Sequence, residues 1–407
     1  MLASLKIGAL LRRAVAATMA LLSMAAFGQE LVVGAFLTLS GPGGDLGAQM
    51  KAGIETAVER VQQNYTVGGK PTKIRVIWYD DEGKGDVGLN VVTRALTVDR
   101  INVAVGFNSS DIVVRVMNDF QKARTPFIIS AAASTNIGRK IAAEKLQYVF
   151  QLSPTSNDLS PSLVNAVLQT SKPKKVGIMF FNIENGRELA KLIVDVLAAK
   201  APDAVVVAQE YPPLGASDFT SEFSKFKSLG VETIFTDIYG SSAPIFFAQL
   251  NELRVPANIA SIGTSVSADS FISQHGKLME GALVNVRWVP GNYTEVTRPM
   301  TESYTKKTGF SPSPFAVQAF DSALIALEAV KQAGSLDPAA IATALESKTY
   351  AGAWGTRRFT SMAEGHQMPI EAAIVQIQKG KKVVVYPAAA KTPGQEYVPV
   401  PPYAWQR

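Results

Sequence analysis

The stretch Val103–Thr135, VAVGFNSSDIVVRVMNDFQKARTPFIISAAAST, constrains the fold more than any other part of the chain. It reads as a buried strand over Val103–Val105, a Gly-Phe-Asn-Ser-Ser turn, and an amphipathic helix from about Asp111. A second strand over Phe127–Ile129 follows, then a second turn of small residues from Ser130 to Thr135. In an open α/β sheet the crevice outside the strand ends receives ligands. A turn of small hydroxyl residues running into a helix offers free backbone N–H groups, the positive end of the helix dipole and side-chain hydroxyls. Two such turns after neighbouring strands make a cradle for a carboxylate, with Ser110 and Ser134 supplying hydroxyls. Taken singly, each serine also fits a plainer role, Ser110 as an N-cap and Ser134 as a turn residue.

The same alternation of strand and helix runs through most of the chain. LVVGAFLTL is a near-continuous apolar run, the mark of a strand buried on both faces of a parallel sheet. SGPGGDLG turns the chain into the amphipathic helix AQMKAGIETAVERVQQN, KIRVIWYDD is the next strand, and Val87–Asp99 the next helix. YVFQLSPTSNDLSPS, with two prolines among polar residues, reads as an extended crossing to a second lobe. There the pattern restarts with strands KVGIMFF, AVVVAQEY, TIFTDIY and NIASIG, separated by helices at Gly186–Lys200, Phe219–Leu229 and Pro244–Leu253. The fold class is therefore α/β, doubly wound with right-handed crossovers, in two similar halves. The long helix SPFAVQAFDSALIALEAVKQAG, the shorter DPAAIATALESK and a hairpin turning at Gly380 close the chain before a Pro-rich tail over residues 391–407.

The N-terminus stands apart. Lys6, Arg12 and Arg13 precede the apolar run Ala14–Phe27, which ends in small residues. This is the layout of a secretory signal peptide, with cleavage expected after Gly28. The run is short of the roughly 20 apolar residues that a spanning helix needs. Those three cations account for half of the formal net charge of +6, leaving +3 on the mature chain. No basic run interleaved with aromatics occurs, so nucleic-acid binding has no footing. The absence of cysteine removes disulfides, thiolate metal sites, cysteine nucleophiles and lipid anchoring at a signal cysteine. A secreted chain with cores this large and no disulfide suits a bacterial periplasm.

Enzymatic readings find little material. Only two histidines exist, His275 and His366, and His366 in MAEGHQMP reads as a surface or packing residue. Asp80 and Asp81 end a strand, but adjacent strand positions point to opposite faces, so capping or solvation suits them better than paired catalysis. GPGGDLG follows a strand and opens a helix, yet Leu46 stands where a dinucleotide fingerprint has its third glycine. What remains there is a tight turn that lets a ligand or another backbone approach closely.

Taken in order, the segments LTLSGPGGDLG, WYDDEG, AVGFNSSDIVV, TPFIISAAAST, YVFQLSPTSND, KKVGIMFFNIENG, SDFTSEFSKFKSLG, VNVRWVPG and SPFAVQAFDSALIALEAVKQAGSLDPAAIATALESKTYAGAWGTRRF carry a resemblance. It covers nearly the whole mature chain. The sequence resembles the periplasmic substrate-binding proteins of the leucine/isoleucine/valine-binding type, receptors of branched-chain amino-acid ABC importers. The resemblance implies two Rossmann-like lobes joined by three crossings, near Gln151–Pro154, Ala282–Pro290 and Trp354–Phe359, with ligand held between them. The N-terminal lobe would comprise residues 29–151 and about 285–355, and the C-terminal lobe 152–284 and about 356–390.

Residue by residue, the resemblance places a ligand's carboxylate and ammonium at Ser110, the backbone of Ala132, and Ser134. Leu46 stands where amino-acid binders often have tyrosine, and Asn185-Gly186 where the family commonly has Tyr-Gly. Tyr239 and Asp237 would supply an aromatic wall and a counter-charge, and Trp288 either flanks the cleft or packs the hinge. The implied protein is a non-catalytic, monomeric periplasmic receptor without a cofactor. It would bind an amino acid or related small carboxylate and deliver it to an inner-membrane ABC permease. Aromatic or other amino-lacking carboxylates are the alternative ligands, and ligand sensing for a signalling partner the alternative role.

Overall fold

The computed structural model describes residues 29–286, 288, 295–369, 372–386, 394 and 396–399. The signal segment lies outside them. β1 (Gln29–Leu37), buried from Leu31 onward, is followed by α1 (Gly44–Val61), the short β2 (Thr66–Val67) and β3 (Lys70–Asp80). Then come α2 (Gly85–Thr97), β4 (Val103–Gly106), α3 (Ser110–Ala123), β5 (Phe127–Ile129), α4 (Thr135–Glu144) and β6 (Val149–Gln151). These strands form one sheet in the order β2-β3-β1-β4-β5-β6, parallel except for the edge strand β2. β1 and β4 are therefore neighbours, and the turns following them open on the same side of the sheet. This is what brings the Gly-Pro-Gly-Gly turn and the Asn108-Ser109-Ser110 turn together.

The second half begins with α5 (Ser156–Thr170), then β7 (Lys175–Phe180), α6 (Glu184–Lys200), β8 (Val205–Glu210), α7 (Thr220–Leu229) and β9 (Thr233–Asp237). α8 (Ser242–Glu252), β10 (Asn258–Ser261), α9 (Asp269–His275) and β11 (Leu283–Val286) complete its wound part. The chain then returns to the first lobe with α10 (Thr297–Thr308), α11 (Pro314–Ala333), α12 (Pro338–Ser347) and the ribbon β12 (Tyr350–Gly352)–β13 (Gly355–Arg357). Finally β14 (Ala373–Gln378) and β15 (Lys381–Tyr386) add antiparallel to the second sheet, whose order is β15-β14-β11-β10-β9-β7-β8. α11 is buried on almost every face, which its apolar sequence with few charges requires, and it joins one core with β1, α1 and α12.

Several expectations need adjusting. The segment read as an extended crossing becomes a helix after Pro154: α5 starts at Ser156 behind a capping box in which Asp158 Oδ2 accepts Thr155 N–H at 2.7 Å and Thr155 Oγ at 2.8 Å. That reciprocal cap, with Leu159, Leu163 and Val164 on the buried face, outweighs Pro161 within the helix. β11 lies whole in the second sheet, so the boundary drawn at 284/285 falls inside a strand. The third crossing comes later than Trp354–Phe359, because Phe359 and Met368 pack in the first lobe's core and Ala372 in the second's. Gln151 bridges to Gln367, holding this segment against β6. His366 is fully buried, stacked on Phe150 with ring centroids 4.2 Å apart, and its Nδ1 meets Val149 O at 3.0 Å. It is a packing residue.

Candidate ligand-binding site

The two sheets face each other across a cavity of about 440 Å³, within the range of small-molecule sites. The first lobe contributes the turns after β1, β3 and β4, the residues Ala131 and Ala133 after β5, and Phe315 at the start of α11. The second contributes Ile183 and Asn185 at the start of α6, Leu214, Asp237 and Tyr239 after β9, and Thr264 after β10. All but Phe315 stand at or just beyond the C-terminal ends of parallel strands, where the doubly wound topology predicts a ligand.

The turn after β1 comes close because it has no side chain in the way: a Cβ on Gly47 would lie 1.8 Å from Thr38 O. Thr38 is oriented from behind by Asp81, whose Oδ1 accepts Thr38 Oγ at 2.6 Å and Gly83 N–H at 2.8 Å. Burial pushes the Asp81 carboxyl above its ordinary range, and those hydrogen bonds only partly offset it. Asp80 points elsewhere and accepts Leu39 N–H, Ser40 Oγ and Glu82 N–H at 2.7–2.9 Å. Burial raises its pKa, but these three bonds prevail and hold it below the usual value. The two acids are scaffolding for the turns, neither lining the cavity.

The two helix N-termini expected to form one cradle differ. At α3, Ser109 is the N-cap and makes no side-chain cap, and Ser109, Ser110, Asp111 and Ile112 all line the cavity. At α4, Ser134 Oγ caps the helix by accepting Asn136 N–H at 3.1 Å, and it donates to Glu184 Oε1 at 2.9 Å. Glu184 Oε1 also accepts Asn136 Nδ2 at 2.7 Å. Thr135 N–H lies 3.1 Å from both oxygens of Glu188, and Thr135 Oγ donates to the same carboxylate. The second lobe thus places two of its own carboxylates on the α4 N-terminus. Burial pushes the Glu188 carboxyl up, with the charge of Glu184 adding to it, while its hydrogen bonds oppose the shift. Asp111, whose carboxylate faces Glu184 N–H at 3.3 Å, is likewise raised by burial and by Glu184.

Of the residues singled out in the sequence, Ser110, Leu46, Asn185, Tyr239 and Asp237 line the cavity. Ala132 does not: it is fully buried, and its carbonyl accepts Gln151 Nε2 at 3.1 Å. Ser134 is also fully buried and serves as cap and interlobe contact instead. Trp288 packs into the first lobe's core and is not among the residues lining the cavity. Within the second lobe Asn185 Oδ1 accepts Ser156 Oγ at 3.1 Å, and Asp237 accepts Thr264 Oγ at 2.6 Å. Tyr239 stands edge-on to Phe181 with centroids 5.1 Å apart. Asn108, Lys84, Phe315, Glu184 and Glu188 were not anticipated. The two glutamates sit in the first turn and a half of a helix, where acids complement the helix's own dipole and give no sign of a partner elsewhere.

Among the described residues no group of acids or histidines is arranged to hold a metal, and no helix is long and apolar enough to cross a membrane. Residues 30–382 match the family described as periplasmic binding protein. The chain is 24% identical over 377 residues to Leu/Ile/Val-binding protein homolog 7 of Brucella abortus, covering 89% of this chain and 92% of that protein. Its fold is similar to that of the branched-chain amino acid transporter substrate-binding protein of Streptococcus pneumoniae in complex with isoleucine. There the TM-score is 0.77 at 20% identity, covering 88% of this chain and 100% of the other. It is equally similar to an ABC-transporter solute-binding protein of Rhodopseudomonas palustris in complex with benzoate, with a TM-score of 0.78 at 18% identity, covering 87% and 95%. The chain belongs to the periplasmic binding protein family, with the type I fold of the leucine/isoleucine/valine-binding proteins.

Proposed function

We infer that the chain is a non-catalytic receptor that binds an amino acid or a related small monocarboxylate between its lobes and delivers it to an ABC permease in the inner membrane. One observation carries the ligand class. The α3 N-terminus, uncapped by its own N-cap side chain, opens into a cavity whose remaining walls include Leu46, Ile112, Phe315 and Tyr239. Backbone N–H groups and the Ser109 and Ser110 hydroxyls suit a carboxylate, and the apolar walls suit a hydrocarbon body. Asp111 and Asp237 at the cavity surface suit an ammonium group on the same ligand. Export through the N-terminal signal segment to the periplasm and action as a monomer complete the reading.

A second ligand class has a specific observation in its favour. Asp237 and Asn185 are both engaged inside their own lobe, by Thr264 and Ser156, which leaves less of the second lobe for an ammonium group. An aromatic or other amino-lacking acid needs none. A thermal-shift screen of the mature protein, refolded to strip carried-over ligand, separates the two. Ligand at 100 times its Kd adds about 2.7 kcal/mol of stability. Stabilisation by aliphatic amino acids supports the first class, and stabilisation only by acids lacking an amino group supports the second. No response to either overturns the receptor reading.

A further inference from the structure

We propose that Glu184 and Glu188 set the charge class of ligand this cleft accepts, by filling the anion position at the α4 N-terminus from the opposite lobe. The inference rests on the receptor reading and deepens it. Two helix N-termini converge on the cleft, and Ser110 Oγ links them by accepting Ser134 N–H at 3.2 Å. A ligand bearing two acidic groups would find donors at both only if both were open. Those at α4 are spent: Thr135 N–H and Oγ on Glu188, Ser134 Oγ and the Asn136 amide on Glu184. Ser156 Oγ, from the start of α5, lies 3.3 Å from Glu188 Oε2 and closes its other side.

The charge balance points the same way. Asp111 faces Glu184 from α3 and adds a third carboxylate to the group. None of the described ion pairs supplies a cation to Glu184 or Glu188, and Glu184 Oε2 is buried with no hydrogen-bond partner. A second ligand carboxylate here would meet like charge on several sides in a partly desolvated place and would find no free donor. One carboxylate at α3 fits; a second at α4 does not. The glutamates also hold the lobes together without any ligand, since their bonds to Ser134, Thr135 and Asn136 cross the cleft.

The absence of cysteine makes a ligand-independent readout available. Spin labels on Lys122→Cys and Lys191→Cys, whose side chains are largely exposed, report the distance between lobes in the refolded, ligand-free protein. The double variant Glu184→Ala/Glu188→Ala should lengthen or broaden that distance. In titrations with isoleucine against glutamate, and benzoate against phthalate, the original chain should prefer the monoacid at least 100-fold. The double variant should narrow that preference at least tenfold. Glu184→Gln/Glu188→Gln, which keeps the shape and removes the charge, guards against a folding defect and should narrow it in the same direction. An unchanged label distance in the alanine variant overturns the proposal, whatever binds. So does equal affinity of the original chain for the mono- and diacid of the pair it binds, or a preference that neither variant alters. If no acid binds any form, the small-carboxylate reading fails, and the label distance still decides whether these glutamates hold the lobes.

Discussion

Ser110 Oγ accepts the backbone N–H of Ser134 at 3.2 Å, tying the start of α3 to the residue that caps α4. The two serines look alike in sequence and share this bond, yet they face different things. Ser110 lines the cavity, whereas the hydroxyl of Ser134 is consumed by its own helix and by Glu184.

Their alanine variants should therefore separate. Ser110→Ala should weaken ligand binding by about 1.5–3 kcal/mol, the range for a hydrogen bond to a charged group. Ser134→Ala should instead cost about 1 kcal/mol of stability as a lost N-cap and shift affinity less. Calorimetric titration and thermal melts on both variants test this; a larger affinity loss at Ser134 would return the carboxylate to α4.

Closure itself can be probed at Gly240. Its φ is +61°, and a Cβ there would lie 2.3 Å from the carbonyl oxygen of Pro42 on the opposite lobe. Gly240→Ala should penalise the closed form more than either lobe alone. Affinity should fall at least tenfold, about 1.4 kcal/mol, while the melting temperature of the ligand-free protein moves by a few degrees. Retained affinity would mean that ligand binds without this approach.

The aromatic residues should divide in the same way. Tyr239→Ala removes a cavity wall and should weaken binding several-fold. Trp288→Phe should leave affinity unchanged while lowering stability by about 1–3 kcal/mol, as for a shrunken core side chain. A changed Kd in the Trp288 variant would put that side chain back at the cleft.

A pH dependence follows from Asp321, fully buried in α11. It accepts Ala353 N–H at 2.6 Å and lies 3.6 Å from Arg357, which stacks on Trp354. Burial pushes its carboxyl up to about 6, with Arg357 and the backbone donors only partly offsetting that. An acid raised in the folded state holds more protons folded than unfolded between the two values, so its contribution falls as pH rises through that window. Relative to Asp321→Asn, the original chain should lose stability between about pH 4 and pH 6 and level off above. Melting curves of both proteins across that range check the sign, and a parallel pH course would refute it.

Most of the architecture was legible in the residues. The apolar runs at β1 and β5 and the glycine turn after β1 announce parallel strands feeding helices. The helix over Ser156–Thr170 was not legible, because two prolines argue for extension and its capping box acts through a reciprocal bond that composition does not weight. At the site, Ser110 could be placed from a strand end and a helix start alone. Ala132, Ser134 and Trp288 could not, since burial behind the cavity wall looks the same in sequence as exposure on it.

By itself the sequence determined the alternating α/β pattern, the two halves, the lack of cysteine chemistry and the convergence of hydroxyl turns at strand ends. These depend on local periodicity and on residues near one another in the chain. Only the tertiary structure decided which helix N-terminus stays open. That choice is made by Glu184 and Glu188, some fifty residues away from Ser134 and Thr135, which reach them across the cleft. Nothing local marks such a contact, because an acid at a helix start is already satisfied by the dipole of its own helix.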